Sequence, residues 1–211
     1  TLLSVARVAP IILPMASRDK VVKIDDLQEG DVLFLRGHSA DSCLISCVSK
    51  GVTHVAVLLK FDGEFHVVQS APQVVGDVYK PPGHEREAFL VRGMGGVHAA
   101  KATKLVETLA KEGYLIGSVG RPDPPLTDAE VEALRAKAIE MYGTEWEVST
   151  LQMINSAFDC GRSSWWCDTK SSMFCSEFIA TLFMQPSVGR LPKDPPAEQY
   201  SPGDIRDSLK H

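Results

Sequence analysis

Two runs of β-forming residues joined by an Asp-Gly pair predict a β-hairpin in the first third of the chain. Two runs rich in β-branched and aromatic residues, at 54–61 and 64–70, stand on either side of Asp62-Gly63. Such a dipeptide between two runs of this kind is a strong hairpin signal, because both residues of a two-residue loop take positive φ angles. The pattern therefore predicts two antiparallel strands joined by a tight turn.

The turn also fixes the register of the predicted hairpin. Residues equally distant from the loop pair with each other, and side chains alternate between the two faces of a sheet. His54 and Gln69 then lie on the same face as diagonal neighbours, where the amide is placed to orient the imidazole ring. His66 lies on the opposite face, so the two histidines of the hairpin are not equivalent.

Similar patterns predict the remaining elements. Two further β-rich runs, at 31–36 and 87–92, would complete a small antiparallel sheet with the hairpin. Helical spacing of apolar residues followed by a glycine predicts helices at 40–50, 97–112 and 127–142. The last of these begins with a Thr-x-x-Glu capping box. The stretch 114–126, rich in Gly and Pro, is expected to be a loop.

The most apolar helical segment begins at Phe174-Cys175-Ser176-Glu177-Phe178. As a helix, it places Cys175 in the first turn, where unpaired N–H groups and the helix dipole favour a thiolate. Phe178, Ile179 and Leu182 share one face by their spacing and would bury the helix in a core. A lone cysteine at such a position is more often a small buried hydrophobe, so the reactive interpretation depends on the residues placed near it.

Length and charge narrow the possibilities for the whole chain. Its 211 residues suffice for one sizeable core or at most two small domains. The formal net charge is −5 and no basic cluster interleaves with aromatic residues, so nucleic acid is not an expected partner. The apolar N-terminus is interrupted by Arg7, Pro10 and Pro14, which makes it too short and too broken for a membrane helix. We expect residues 1–24 to form an ordered arm and no segment to span a membrane.

The five cysteines leave at least one thiol unpaired. Cys43 and Cys47 share one face of a predicted helix, where core packing explains them. Cys160 and Cys167 flank a loop and could form a disulfide in an oxidising compartment. No Cys-x-x-Cys pair and no Cys/His spacing of the zinc type occurs, so neither a metal nor another cofactor is expected.

Cys175, His54 and Gln69 together supply the parts of a papain-like thiol site: a cysteine at a helix N-terminus, a histidine on a strand and a polar group that orients the imidazole. The histidine comes first in the chain, which is a circular permutation of the familiar order. The chain resembles the permuted NlpC-type papain-like cysteine hydrolases, the YiiX-like group. The residues that carry the resemblance are Gly30-Asp31-Val32-Leu33-Phe34 with Arg36-Gly37, His54-Val55, Gln69, Phe174-Cys175-Ser176-Glu177-Phe178 and Ser201-Pro202-Gly203-Asp204-Ile205.

The resemblance implies an α+β, circularly permuted papain-like fold, in which a small antiparallel sheet or partial barrel packs against helices and the nucleophile stands at a helix N-terminus. It implies one such domain over residues 25–211, with a helical insert at about 95–170. Two residues depart from the family's pattern. Gln69 stands where the family often has glutamate, so an imidazolium lacks a carboxylate partner. Phe174 stands where the family often has tyrosine, so a hydroxyl is missing.

The function implied by the resemblance is hydrolysis of an amide or peptide bond, in cell-wall or other small peptides, through a Cys175 acyl-enzyme. His54 would accept and then donate the proton, and Gln69 would orient its ring. Two alternatives stay open: a lipid acyltransferase or phospholipase with the same chemistry, and a binding module on a catalytically decayed scaffold. The expected partner is a peptide or a small acyl compound, and a reduced thiol suggests the cytoplasm, although secretion or delivery as an effector is compatible with it. Candidate substrate-binding residues are Trp165, Trp166, Phe174, Ser176 and Arg36.

Overall fold

The structure, a computed structural model, describes residues 26–37, 51–74, 77–84, 94–103, 115–146 and 172–209. The strands in these ranges are β1 (Val32–Arg36), β2 (His54–Phe61), β3 (Glu64–Gln73), β4 (Met94–Lys101), β5 (Leu115–Gly120), β6 (Glu145–Trp146) and β7 (Ser172–Met173). The helices are α1 (Asp128–Glu140), α2 (Cys175–Met184) and α3 (Pro202–Ser208), with a 3-10 turn at Ala197–Gln199.

All seven described strands belong to one sheet, in the order β5-β1-β2-β3-β4-β6-β7. Neighbouring strands are antiparallel except β6 and β7, which are parallel. The mixed α+β class and the mainly antiparallel sheet are therefore confirmed.

The predicted hairpin is formed by β2 and β3. Asp62 and Gly63 take φ angles of 52° and 79°, as a two-residue loop of this kind requires. The paired residues run from Phe61 opposite Glu64 to Val57 opposite Val68, which is the register that the turn predicts.

The sheet buries both of its faces. One face contacts a large core that includes α2, and Val55, Val57 and Leu59 of β2 point into this core. The opposite face contacts a smaller core that receives Ala56 and Leu58 from the same strand. This alternation is what a strand covered on both sides shows.

The apolar side of α2 holds that helix against the sheet. Phe178, Ile179, Leu182 and Phe183 are completely buried. Burying each side chain of this size stabilises a fold by about 1.5–3 kcal/mol, so α2 is a rigid support for the residues at its N-terminus.

The Gly30-Asp31 pair ahead of β1 has a structural explanation. Gly30 has a φ of 83°, and the side chain of Leu126 fills the space that a Cβ atom would need. The buried carboxylate of Asp31 accepts hydrogen bonds from Nε and Nη2 of Arg121, at 2.8 and 2.7 Å, and from the N–H of Gln28 at 2.8 Å. These bonds fix the start of β1 beside the end of β5.

The predicted capping box opens α1. The Glu130 N–H donates to Thr127 Oγ1 at 3.3 Å, and the Thr127 N–H donates to the Glu130 carboxylate at 2.7 Å. The Arg190 guanidinium beside this carboxylate is the main reason that the pKa of Glu130 falls to about 2. The Arg190 contact ties α1 to the segment that follows α2.

Two predictions for the middle of the chain are wrong. Residues 97–101, expected as the start of a helix, belong to β4, and helical residues begin only at Ala102. The expected loop at 114–126 contains β5. Both strands exist because they pair with distant segments, β4 with β3 and β5 with β1, and such pairing leaves no local signal in an alanine- or glycine-rich run. The stretch at 95–170 therefore also contributes strands to the sheet.

Several predictions lie outside the described residues and stay predictions. They are the arm at 1–24, the helix at 40–50, the strand at 87–92, the helix beyond residue 103, and the pairs Cys43/Cys47 and Cys160/Cys167. The division into an arm and one domain is likewise untested. No helix in the described ranges is long and apolar enough to cross a membrane.

Candidate active site

The N-terminus of α2 places Cys175 at the first helical position, as predicted. Phe174 is the extended N-cap residue, with φ −78° and ψ 164°, and its N–H donates to the Glu177 carboxylate at 3.3 Å. On β3, the Ser70 hydroxyl donates to the Met173 carbonyl at 2.7 Å. These two bonds hold the entry to the helix, and with it the sulfur, against β3.

The backbone N–H groups of Val55, Ser176 and Cys175 itself lie near enough to the Cys175 sulfur to lower its pKa. Leu58 bonds toward β1 through both its N–H and its C=O. Since the bonding direction alternates along a strand, the Val55 N–H points toward β3. Val55 lies beyond the last residue pair between β2 and β3, which is Val57 opposite Val68. The sulfur therefore lies near the point where the pairing of β2 and β3 ends.

The thiol does not have the low pKa that its helix position predicts. Burial raises the pKa of Cys175 to about 11, and the three N–H groups offset only part of this increase. The side chain has 7% of its surface exposed. The expectation of an easily formed thiolate is therefore wrong for this state of the site, because desolvation of the charged sulfur outweighs the helix terminus.

His54 and Gln69 are in contact, as the hairpin register predicts. The His54 Nε2 lies 2.9 Å from Gln69 Oε1, and because a carbonyl oxygen only accepts, the ring nitrogen donates. His54 is buried, and this burial lowers its pKa, while the bond to Gln69 acts in the opposite direction. His54 precedes Val55, the residue whose N–H lies near the Cys175 sulfur.

A third polar side chain, which the sequence reasoning missed, extends this contact. His98 on β4 stands opposite Gln69 on β3, and its Nε2 lies 3.2 Å from Gln69 Nε2. The other ring nitrogen, Nδ1, donates to the Gly96 carbonyl at 2.9 Å. His98 is completely buried, and burial lowers its pKa to about 4. Recognising β4 as a strand next to β3 was the signal that would have found it.

His66 is separate from this group, as predicted. It pairs with Leu59 and lies on the opposite face from Gln69. Its Nδ1 donates to the Glu64 carbonyl at 2.9 Å, and its ring packs against the rings of Phe61 and Tyr79. Among the described residues its Nε2 has no hydrogen-bond partner.

Of the five candidate substrate-binding residues, the structure describes Phe174, Ser176 and Arg36. Phe174 and Ser176 are buried, and the Phe174 ring meets the Trp146 ring edge-on, with centroids 6.0 Å apart. Arg36 is exposed at the end of β1, and its guanidinium lies over Gly51. Trp165 and Trp166 lie outside the described residues. Among the described residues, no group of three His, Cys, Asp or Glu side chains is placed to hold a metal ion.

Comparisons with known proteins leave the family open. No family model and no curated protein matches the sequence. Among solved structures, the fold is similar to that of YiiX from Escherichia coli O157:H7, described as a metalloprotein, with a TM-score of 0.46 and 17% identity. The match covers 74% of this chain and 64% of YiiX, so the chain spans less than two thirds of that protein's length. Membership of the permuted papain-like hydrolases stays a prediction.

Proposed function

We propose that the protein is a thiol hydrolase with a permuted papain-like arrangement, which cleaves an amide or peptide bond. The observation that carries the proposal is that Cys175 and His54 both lie at the point where the pairing of β2 and β3 ends. The Cys175 sulfur lies near the N–H of Val55, the residue after His54, and His54 binds Gln69. A cysteine, a histidine and an orienting amide are the groups that thiol acyl transfer needs.

In this proposal each ring nitrogen of His54 has its own role. Nε2 donates to Gln69 and keeps its proton throughout the reaction. Nδ1 then exchanges protons with sulfur: it takes the thiol proton as Sγ attacks the carbonyl carbon. It returns this proton to the leaving amine when the C–N bond of the tetrahedral intermediate breaks. A water molecule then adds to the acyl carbon and loses a proton to Nδ1. The S–C bond breaks, and Nδ1 returns this proton to the sulfur.

The resting pair in this proposal is neutral. The raised pKa of Cys175 and the lowered pKa of His54 both favour a thiol beside an uncharged imidazole at neutral pH. His54 therefore acts as a general base during the attack, and no preformed thiolate is needed. The Cys175 N–H, at the start of α2, would contribute to the hole that binds the oxyanion of the intermediate.

Intact-mass measurement after incubation with amide and ester substrates tests this proposal. We expect an acyl adduct that maps to the Cys175 peptide in the wild type, no adduct in Cys175→Ala and greatly slowed formation in His54→Ala. His66→Ala is the control, because His66 is buried like His54 but lies on the opposite face of the sheet from Gln69. Turnover that persists in Cys175→Ala would overturn the proposal.

One observation favours a second candidate, a binding module on a scaffold that has lost its activity. Cys175 is buried and its pKa is raised, so its sulfur is a poor nucleophile until the site opens or His54 assists. Under this alternative, ligand binding would survive Cys175→Ala unchanged and no acyl adduct would form with any substrate.

A further inference from the structure

We propose that His98 is a positioning residue of this site, which sets the orientation of the Gln69 amide and, through it, the tautomer of His54. The inference deepens the proposed function and rests on it. It is carried by an unbroken chain of hydrogen bonds across three neighbouring strands: Gly96 carbonyl, His98, Gln69 and His54.

The series of hydrogen bonds begins at the Gly96 carbonyl, which can act only as an acceptor. His98 Nδ1, at 2.9 Å from it, therefore carries a proton. A neutral imidazole has one N–H, and His98 Nε2 therefore presents a lone pair. The group that faces it at 3.2 Å must donate.

The need for a donor at His98 fixes the orientation of the Gln69 amide. Its NH₂ group is the only part that donates, so it faces His98, and its carbonyl oxygen is left for His54. The oxygen in turn requires a proton on His54 Nε2, at 2.9 Å. His54 Nδ1 then carries the lone pair of the neutral ring, which is the state a general base requires.

Reversing the amide has a specific cost. The carbonyl oxygen would then face His98 Nε2 and require a second proton on that ring, which would make it an imidazolium. Burial opposes this charge and lowers the pKa of His98 to about 4, and any positive charge on His54 opposes it further. At neutral pH the hydrogen bonds from Gly96 to His54 therefore have one self-consistent arrangement of donors and acceptors.

His66 provides a matched comparison within the same sheet. It is also buried, and its Nδ1 also donates to the carbonyl two residues earlier, that of Glu64. It differs in having no link to Gln69 or His54 among the described contacts. A substitution of His66 therefore reproduces the loss of a buried histidine without interrupting the chain.

The first test is the tautomer of each histidine in the wild-type protein, read from long-range ¹H–¹⁵N correlations of ¹⁵N-histidine-labelled protein at pH 7. We expect His98 to carry its proton on Nδ1 and His54 on Nε2. Any other tautomer at either residue overturns the proposal, and this measurement needs no variant to fold.

The second test compares His98→Leu, His98→Gln and His66→Leu. A glutamine at 98 offers an NH₂ to Gly96 and an oxygen to Gln69, which preserves the order of donors and acceptors, whereas leucine offers neither. We expect alkylation of Cys175 by iodoacetamide at pH 7, followed by peptide mass spectrometry, to slow about 10-fold in His98→Leu. In the other two variants it should stay within about twofold of the wild type.

The two proposals fail in different ways. If His98→Leu alkylates like His66→Leu, or if its His54 keeps a single Nε2 tautomer, His98 does not position the site. If the tautomers are as expected but no substrate acylates Cys175, the hydrolase proposal fails while the role of His98 in orienting Gln69 and His54 stands.

Discussion

Replacing Gln69 by glutamate is the most informative single change, because it alters the donors and acceptors of the site without altering its shape. One carboxylate oxygen would take the place of Oε1 and still accept from His54 Nε2. The other would take the place of the amide nitrogen, 3.2 Å from the lone pair of His98 Nε2. Two acceptors would then face each other, so we expect His98 to bind a proton.

The expected shift follows from the distance. Opposite unit charges 3.2 Å apart attract by about 5 kcal/mol at an effective dielectric constant of about 20. Such an energy corresponds to a rise in pKa of at most about 4. Desolvation of the new carboxylate reduces this, and we expect His98 to titrate near pH 6 in Gln69→Glu, compared with about 4 in the wild type. The pKa of His54 rises for the same reason.

The assay is an NMR titration of the histidine Cε1–H signals, together with the pH dependence of kcat/KM or of Cys175 alkylation. Activity should be retained, with the acid limb of the rate profile moved to higher pH as the pKa of His54 rises. Gln73→Glu is the matched control: it adds the same charge at an exposed position on the same strand. Gln69→Ala should lower the rate with little effect on substrate binding.

An unchanged His98 midpoint in Gln69→Glu, or a shift equal to that in Gln73→Glu, would show that Gln69 does not lie between the two histidines. Superimposable pH–rate profiles for the wild type and the glutamate variant would remove Gln69 from the site altogether. Either result would refute the donor and acceptor order described above.

Three further predictions follow from the same contacts. Cys175 alkylation should rise with pH toward about 11, and the thiolate fraction at pH 7 should be about 100-fold below that of a thiol with pKa 9.0. The acid limb of kcat/KM in the wild type should lie below pH 6.5, since burial lowers the pKa of His54, and it should vanish in His54→Ala but not in His66→Ala. Burial lowers the pKa of His98 in the fold to about 4, so the contribution of neutral His98 to the free energy of unfolding is present above pH 6.5 and lost as the pH falls toward about 4. Urea unfolding should show this loss as about 3 kcal/mol, and the loss should be absent in His98→Gln.

The parts of the site that the sequence predicts are those set by local rules. An Asp-Gly turn fixes which residues of a hairpin pair, so the contact between His54 and Gln69 follows from residue numbers alone. The helix that begins at Cys175 follows in the same way from apolar spacing and an N-terminal glutamate at position 177.

The parts that the sequence does not predict depend on contacts between distant segments. β4 resembles the start of a helix because its alanines and lysine are helix formers, and only pairing with β3 makes it a strand. Missing β4 conceals His98, whose relevance comes from standing opposite Gln69. The pKa of Cys175 has the same origin: the helix terminus is visible in the sequence, whereas the burial that raises the pKa is not.

The amide at position 69 and the imidazole at position 98 are chemically matched. A neutral His98 that donates to the Gly96 carbonyl needs a donor on its other side, while a His54 that serves as a base through Nδ1 needs an acceptor at Nε2. The amide of Gln69 offers both, a donor on its nitrogen and an acceptor on its oxygen. A carboxylate at the same place would accept on both sides and draw a proton onto His98, which would put charge into a fully buried part of the sheet. Gln69 is therefore better understood as the partner of two neutral imidazoles than as a weakened glutamate.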